Sequence, residues 1–217
     1  MILKLDNRED WLHARKQGIG GSDAGSLPGL NKYCSNAELY KLKAGLQEAE
    51  DISDKPAVQY GKEAEQHIRE LFKLDYPQYN VDYHEFWMYF HEKHSFMYAT
   101  LDGELTDKTD GRRGILEIKT TTIQNSIQWQ DWDDGNIPQK YFAQIIHQLA
   151  CTGWDFVWLR AYIRYYGKEG KLKVIFRDYY FERSDYLQDI EYLETKEIEF
   201  WENVQQHKQP ALLLPQI

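Results

Sequence analysis

The sequence predicts an α/β fold of the α+β kind, in which a central β-sheet is flanked by amphipathic helices. Three observations predict it. Two runs of alternating or β-branched residues, Tyr98–Leu105 and Gly114–Thr120, are separated by Asp110-Gly111 and the charged pair Arg112-Arg113, the pattern of two strands joined by a turn. Apolar stripes at helical spacing lie on either side of that pair, from about residue 57 to 74 and from 138 to 152. A hydrophobic fraction of 42% over 217 residues suffices for one sizeable core. Residues 1–217 are therefore expected to form a single domain, with a C-terminal helix and apolar tail from about residue 184.

The elements follow in order. Asp6 or Asn7 can cap a short helix through Lys16, with Trp11 and Leu12 on its apolar side and Gly18 ending it. Gly18-Ile-Gly-Gly-Ser22-Asp23 is a tight turn into a helix N-terminus, which either receives a phosphate on its N–H groups or serves as an ordinary turn and cap. Ser35-Asn-Ala-Glu38 is a capping box opening a helix to about Ala44, stopped by Gly45. Residues 46–56 read as an exposed acidic connector. A longer helix runs from about Ala57 to Leu74, with Val58, Ala64, Ile68, Leu71 and Phe72 as its stripe and Glu65 beside it. Gly61 within that helix costs about 1 kcal/mol relative to Ala, which implies that something approaches its backbone closely.

Tyr79 to about Phe90 reads as one strand and His91–His94 as its turn. After the central pair, residues 123–137 form a loop whose Trp129 and Trp132 either anchor it to the core or stack on bases. Pro138 opens a helix with Tyr141, Gln144, Ile145, Gln148 and Leu149 on one side, up to Gly153. Amides and a phenol on a buried face need partners, so Tyr141 and Gln144 are expected to look into a polar cavity. Trp154–Tyr166 and Leu172–Phe181 form a hairpin around Gly167–Gly170. The last helix, Ser184 to about Gln206, carries Ile190, Leu193, Ile198 and Trp201; the uncharged tail Pro210–Pro215 suits docking on this subunit or a neighbour.

A net charge of −9 argues against a protein that simply coats nucleic acid with positive charge, although a metal site needs clustered carboxylates of its own. Cys34 and Cys151 lie far apart and outside any Cys-x-x-Cys, so a disulfide framework is unsupported and a reducing cytoplasm fits. No stretch approaches a membrane span or a signal peptide, and a soluble, cytoplasmic protein without membrane contact is expected.

Side chains alternate along a strand, so Glu117 and Lys119 share one face while Leu116 and Ile118 point into a core. If the strands pair, Asp102 meets the Glu117 face. Two carboxylates and an ammonium at a sheet edge suit phosphodiester hydrolysis: hard oxygen ligands hold Mg²⁺, and the lysine orients water or offsets charge on the phosphate. A surface hairpin with a chance Glu/Lys pair is the plainer reading of the same residues.

Together the motifs Arg15-x₂-Gly18 with Ser22, Gly61-x₃-Glu65, Asp102-Gly103, Glu117-x-Lys119 and Tyr141-x₂-Gln144 are in the order of the phage-type alkaline exonucleases. The chain thus resembles the YqaJ-like viral recombinase family, which includes the exonuclease of bacteriophage lambda, over residues from about 8 to 165. The resemblance implies the PD-(D/E)XK nuclease fold, with a central mixed sheet flanked by helices. It implies Asp102, Glu117, the Ile118 carbonyl and Glu65 as metal ligands, Lys119 as the group that positions the attacking water, and Gln144 and Tyr141 lining the site. It further implies that Arg15, Ser22 and Thr100 hold the 5′-terminal phosphate. Thr100-Leu101 departs from the Ser-Pro of some relatives, which keeps the hydroxyl.

The activity so implied is a Mg²⁺-dependent exonuclease, with Mn²⁺ able to substitute, that digests one strand of duplex DNA from the 5′ end and leaves a 3′ single strand. Its implied partners are double-stranded DNA ends, a single-strand annealing recombinase protein, and copies of itself in a trimeric ring, in the host cytoplasm if phage-encoded. The alternatives are a nuclease of the same core with endonuclease or single-strand preference, and a DNA-binding or assembly module that does not cleave.

Overall fold

The computed structural model describes residues 1–167 and 169–213. Two sheets are wrapped by helices. The smaller has four strands, β1 (Ile2–Lys4), β2 (Ile19–Gly20), β4 (Trp87–Phe90) and β5 (Met97–Ala99), in the order β1-β4-β5-β2. The larger has five, β3 (Tyr79–Asp82), β6 (Gly103–Asp107), β7 (Arg113–Ile123), β8 (Phe156–Tyr166) and β9 (Leu172–Glu182), in the order β3-β6-β7-β8-β9. Strands β7 and β8 are parallel, while β3-β6, β6-β7 and β8-β9 are antiparallel, so the larger sheet is mixed.

The helices are α1 (Arg8–Arg15), α2 (Gly21–Ala24), α3 (Asn36–Lys43), α4 (Pro56–Asp75), α5 (Ser126–Gln130), α6 (Gln139–Thr152) and α7 (Leu187–Gln205). Asn7 caps α1 by accepting from the Asp10 N–H, and Ser35 with Glu38 forms the expected capping box of α3. Helix α6 is the crossover between the parallel β7 and β8, and Gly153 ends it with φ of 67°. Its inner face packs Ile145, Ile146 and Leu149 against Ile115, Val157, Leu159 and Ile163. The opposite face of the sheet takes Ile68 and Phe72 of α4 onto Leu116, Ile118 and Phe156. Consecutive residues of β7 thus enter different cores, as strand alternation requires.

Several local expectations are corrected. Tyr79–Phe90 is two strands in different sheets, β3 and β4, broken where Phe86 takes a φ of 63°. Tyr98–Leu105 is likewise two strands, β5 and β6, and the chain crosses between sheets at Thr100–Asp102. Propensity reads both segments as continuous, but each half finds its partner in a separate sheet. The 123–137 stretch contains the short helix α5, and Trp132 is buried in the core with Trp129 packed beside it, which makes them anchors. Val58 and Leu71 are exposed on α4, whereas Arg69 is buried there. On α7 Ile190 and Leu193 are buried as expected, together with Glu197, Phe200 and Val204, while Trp201 packs half-buried against the core and Ile198 is half-buried.

Of the apolar tail, Ala211 and Leu213 dock on this chain through the Asn36 side chain, at 2.7 and 2.9 Å. Leu214 and Pro215 of the expected tail, and Lys168 of the hairpin turn, lie outside the described residues. Cys34 and Cys151 are free thiols. Among the described residues no helix is long and apolar enough to cross a membrane.

Candidate active site

Alternation along β7 places Glu117 and Lys119 on the α6 side of the sheet, and their head groups meet at 2.5 Å between Nζ and Oε1. Glu117 is only 2% exposed, so its charge needs partners. Gln144 Nε2 donates to Oε1 at 2.7 Å and Gln148 Nε2 to Oε2 at 2.5 Å. Residues four apart on a helix face the same way, and both amides of the odd polar stripe on α6 therefore end on one carboxylate. The partner that the Gln144 amide needs is thus the Glu117 carboxylate.

Asp102 arrives from the crossing between sheets. The last paired residues of β6 and β7 are Gly103 and Leu116, and beyond them the Ile118 N–H donates to Asp102 Oδ2 at 2.7 Å. A side chain thus takes a ladder bond that a continuing strand would have taken with its backbone, which fixes the carboxylate at the sheet edge. The crossing that overturned the single-strand expectation is what points Asp102 at β7.

Glu65 comes from α4. Gly61, one turn earlier, sits so close to β7 that a Cβ there would be 3.1 Å from Thr120 Oγ1, the close approach its presence in a helix implied. Arg69, one turn later, donates to Glu65 Oε1 at 2.8 Å and, from Nε, to the Asp102 carbonyl. It also lies 3.7 Å from the centre of the Tyr83 ring.

The electrostatics follow from crowding. Burial pushes the Asp102 carboxyl well above the ordinary range, and the carboxylates of Glu117 and Glu65 push it further. Glu65 is raised as well, by burial first and by Glu117, against the pull of Arg69 and Lys119. Burial works against the Lys119 ammonium, but Glu117 and Asp102 outweigh it and hold the proton on. Burial raises the Tyr141 phenol, whose ring centre is 5.0 Å from Lys119 Nζ.

The sequence-derived set therefore divides. Asp102, Glu117, Ile118, Lys119, Glu65, Gln144 and Tyr141 converge at one place. Among the described residues no three metal-ligating side chains stand close enough to enclose an ion as they are, and Lys119 and the two amides meet the Glu117 oxygens. Arg15 Nη2 and Ser22 Oγ meet at 3.3 Å. Thr100 lines the same cleft as Arg15, a space of about 2080 Å³ that also reaches Glu65, Arg69 and Asp102. Two residues escaped sequence reading in any site role. Gln148 was visible only as the repeat of Gln144 at i+4, and Arg69 only as the i+4 partner of Glu65.

Comparison with known proteins gives the fold and the family. The chain is 30% identical over 208 residues to the uncharacterized protein YqaJ of Bacillus subtilis (strain 168), covering 90% of this chain and 56% of that protein. It thus spans little more than half the length of that relative. The crystal structure of the alkaline exonuclease LHK-Exo from Laribacter hongkongensis has the same fold, with a TM-score of 0.68 at 21% identity over 92% of this chain and 94% of that one. LHK-Exo in complex with dAMP superposes with a TM-score of 0.66 at 22% identity, over the same 92% and 94%. Residues 10–155, which run from the helix carrying Arg15 through the whole carboxylate cluster to the end of α6, match the YqaJ-like viral recombinase domain, and the chain belongs to that family.

Proposed function

We propose that this chain is a Mg²⁺-dependent exonuclease that degrades one strand of linear duplex DNA in the 5′-to-3′ direction, leaving 3′ single-stranded overhangs for phage-type recombination. The observation that carries the reading is the meeting of Asp102, Glu65, Glu117 and Lys119 where β7 passes between α4 and α6. Family membership supports it. So does the dAMP bound by LHK-Exo, because a nucleoside monophosphate is the unit that such an enzyme releases.

The donor set suits a hard divalent cation, since Asp102, Glu117, Glu65 and the Ile118 carbonyl offer only oxygen. The Asp102 carboxyl is held above its ordinary range by burial first and then by the carboxylates of Glu117 and Glu65, a crowding that a bound cation would relieve. A Mg²⁺ ion held by these residues, or Mn²⁺ in its place, would supply polarisation of a phosphate and a more acidic water. Lys119 keeps its proton, so its ammonium acts by orienting that water and offsetting charge on the phosphate. Gln144 and Gln148 hold Glu117 in place, and Tyr141 walls the site. Arg15 and Ser22, with Thr100 in the same cleft, would take the 5′-terminal phosphate by charge and hydrogen bonds. DNA ends, a single-strand annealing protein and a trimeric ring of copies complete the proposal.

The test is to incubate the purified chain with linear duplex carrying a 5′-phosphate, with and without Mg²⁺, beside closed circular DNA and single strands. Release of mononucleotides from the 5′-phosphorylated strand alone, abolished by Glu117→Gln and made indifferent to the phosphate by Arg15→Ala, is expected. Cutting of closed circles would reassign the chain as an endonuclease. Binding without metal-dependent release would make it a DNA-binding module.

A further inference from the structure

Outward from the carboxylates, cations and rings alternate. Lys119 Nζ lies 5.0 Å from the centre of the Tyr141 ring, and Lys140 Nζ lies 4.7 Å from the same ring and 4.5 Å from that of Tyr33. Lys32 Nζ follows, 5.4 Å from the Tyr33 ring. The row starts at a lysine side chain 19% exposed and passes a tyrosine 72% exposed before Lys32, so it climbs from the reactive cluster to solvent.

The row is built, since its members come from β7, from the first turn of α6 and from the segment between α2 and α3. That segment is pressed onto α6 at Gly25, where a Cβ would stand 3.1 Å from the Lys140 Cα. Within it, Asn31 donates to Ser26 Oγ at 3.1 Å and accepts from the Tyr33 N–H at 3.0 Å, which fixes Lys32 and Tyr33 in place.

Charge is what the row lacks a balance for. Among the described residues neither Lys32 nor Lys140 has a carboxylate within ion-pair distance, whereas Lys119 has Glu117. Burial makes the Lys140 ammonium easier to deprotonate, and its neighbours Lys119 and Lys32 add to that. Three ammoniums gathered against their mutual repulsion in an acidic protein are stabilised when an anion of matching spacing lies along them. Ring faces supply part of that stabilisation and orient the cations. None of Lys32, Tyr33, Lys140 or Lys119 lines the cleft that holds Arg15 and Thr100, so the row approaches the carboxylates from a second side.

We propose that Lys140 and Lys32, held by Tyr33, form a track for the phosphate backbone of one polynucleotide strand leading to or from the carboxylate cluster. The proposal deepens the nuclease reading and rests on it for the identity of the polyanion. Each ammonium on the track neutralises one phosphate and releases its counterions, so each adds to the salt dependence of binding.

The experiment measures anisotropy of a fluorescent single-stranded oligonucleotide and of a blunt duplex bound to the full chain in EDTA, from about 50 to 200 mM KCl. Lys32→Ala with Lys140→Ala is expected to weaken single-strand binding about tenfold and to flatten the slope of log K against log salt by about 1.4, or about 0.7 per phosphate. Lys140→Gln alone is expected to flatten it by about half as much, which guards against a double variant that folds poorly, with melting curves as the check. An unchanged slope in a folded variant overturns the track, even if the parent protein cleaves DNA. A flattened slope in a protein that releases no nucleotide with any divalent metal upholds the track and removes the nuclease reading. Flattening with the duplex and none with the single strand overturns the one-strand assignment.

Discussion

Gln148 Nε2 donates to Glu117 Oε2 at 2.5 Å, and so holds the oxygen that Lys119 and Gln144 leave free. A hydrogen bond to a buried charge is worth about 1.5–3 kcal/mol. Gln148→Ala is therefore expected to lower kcat by about 10- to 100-fold with KM for DNA little changed, because the amide touches the carboxylate and not the substrate. Gln148→Glu should lose more, since it sets a second carboxylate against the first. Steady-state nucleotide release decides the matter; a Gln148→Ala variant with parental kcat would show that Gln144 and Lys119 suffice.

The site and the stability of the fold pull in opposite directions at Asp102. Its carboxyl is held above the ordinary 3.8 by burial, Glu117 and Glu65, so it favours the fold when protonated and that contribution is lost as pH rises through its folded-state value. At neutral pH, far above the ordinary 3.8, the group therefore costs the metal-free fold stability. Asp102→Asn is expected to raise the melting temperature in EDTA by about 2–4 °C for each 1 kcal/mol gained, while ending cleavage. Mg²⁺ should stabilise the parent and leave Asp102→Asn nearly unmoved. Calorimetry with and without Mg²⁺ reads both effects, and a variant that melts lower than the parent in EDTA would contradict the crowding.

The order of the motifs was legible because each site residue sits at a spacing that backbone geometry fixes. Glu117 and Lys119 are two apart on a strand, and Tyr141, Gln144 and Gln148 are three and four apart on a helix. Where Asp102 stands relative to them was legible only in outline. The local pattern of Tyr98–Leu105 favours one strand, and only the competition between two sheets breaks it at Thr100–Asp102. Glu197 was hidden for a related reason: a charged residue amid Ile190, Leu193 and Ile198 reads as the polar side of α7 until His147 is known to face it. Arg69 was obscured likewise, since a cation is expected at the surface and its two acceptors come from its own helix and from the sheet crossing.

That buried pair carries a pH prediction of its own. His147 Nδ1 meets Glu197 Oε1 at 2.7 Å and its Nε2 meets the Tyr98 carbonyl at 2.7 Å, with both side chains 0% exposed. The Cys151 Sγ also stands 3.3 Å from Nε2, and a ring that donates from both nitrogens, to Glu197 and to the Tyr98 carbonyl, is an imidazolium. Burial opposes that charge, yet Cys151 and Glu197 bring the ring well above its ordinary 6.5. The contribution to stability is full below 6.5 and is lost as pH rises through the raised value. Urea unfolding should accordingly show stability declining from neutral toward alkaline pH. Glu197→Gln should cost about 3–5 kcal/mol and flatten that decline, whereas replacing both residues with Leu should cost less than the single change.

Arg69 offers the sharpest separation of position from chemistry. It touches no place where a phosphate is proposed to react, yet its fork joins Glu65 on α4 to the carbonyl of Asp102 on the sheet crossing. Two carboxylate-bearing elements from different parts of the chain are thereby set at one spacing, on which the proposed sharing of a cation between them would depend. Arg69→Lys keeps a charge beside Glu65 but cannot span both acceptors, because an ammonium lacks the planar fork. It is expected to raise the Mg²⁺ concentration for half-maximal activity by about tenfold, the range that changes around metal ligands produce, with a smaller effect on the rate at saturating metal. Arg69→Ala should shift the metal requirement further and also lower the melting temperature, since it leaves Glu65 half-buried beside Glu117 without its counter-charge. Metal titrations of the two variants beside the parent measure this directly. Equal loss of rate at every Mg²⁺ concentration, with the midpoint unmoved, would mean that Arg69 acts on the reacting groups and not on the spacing of the carboxylates.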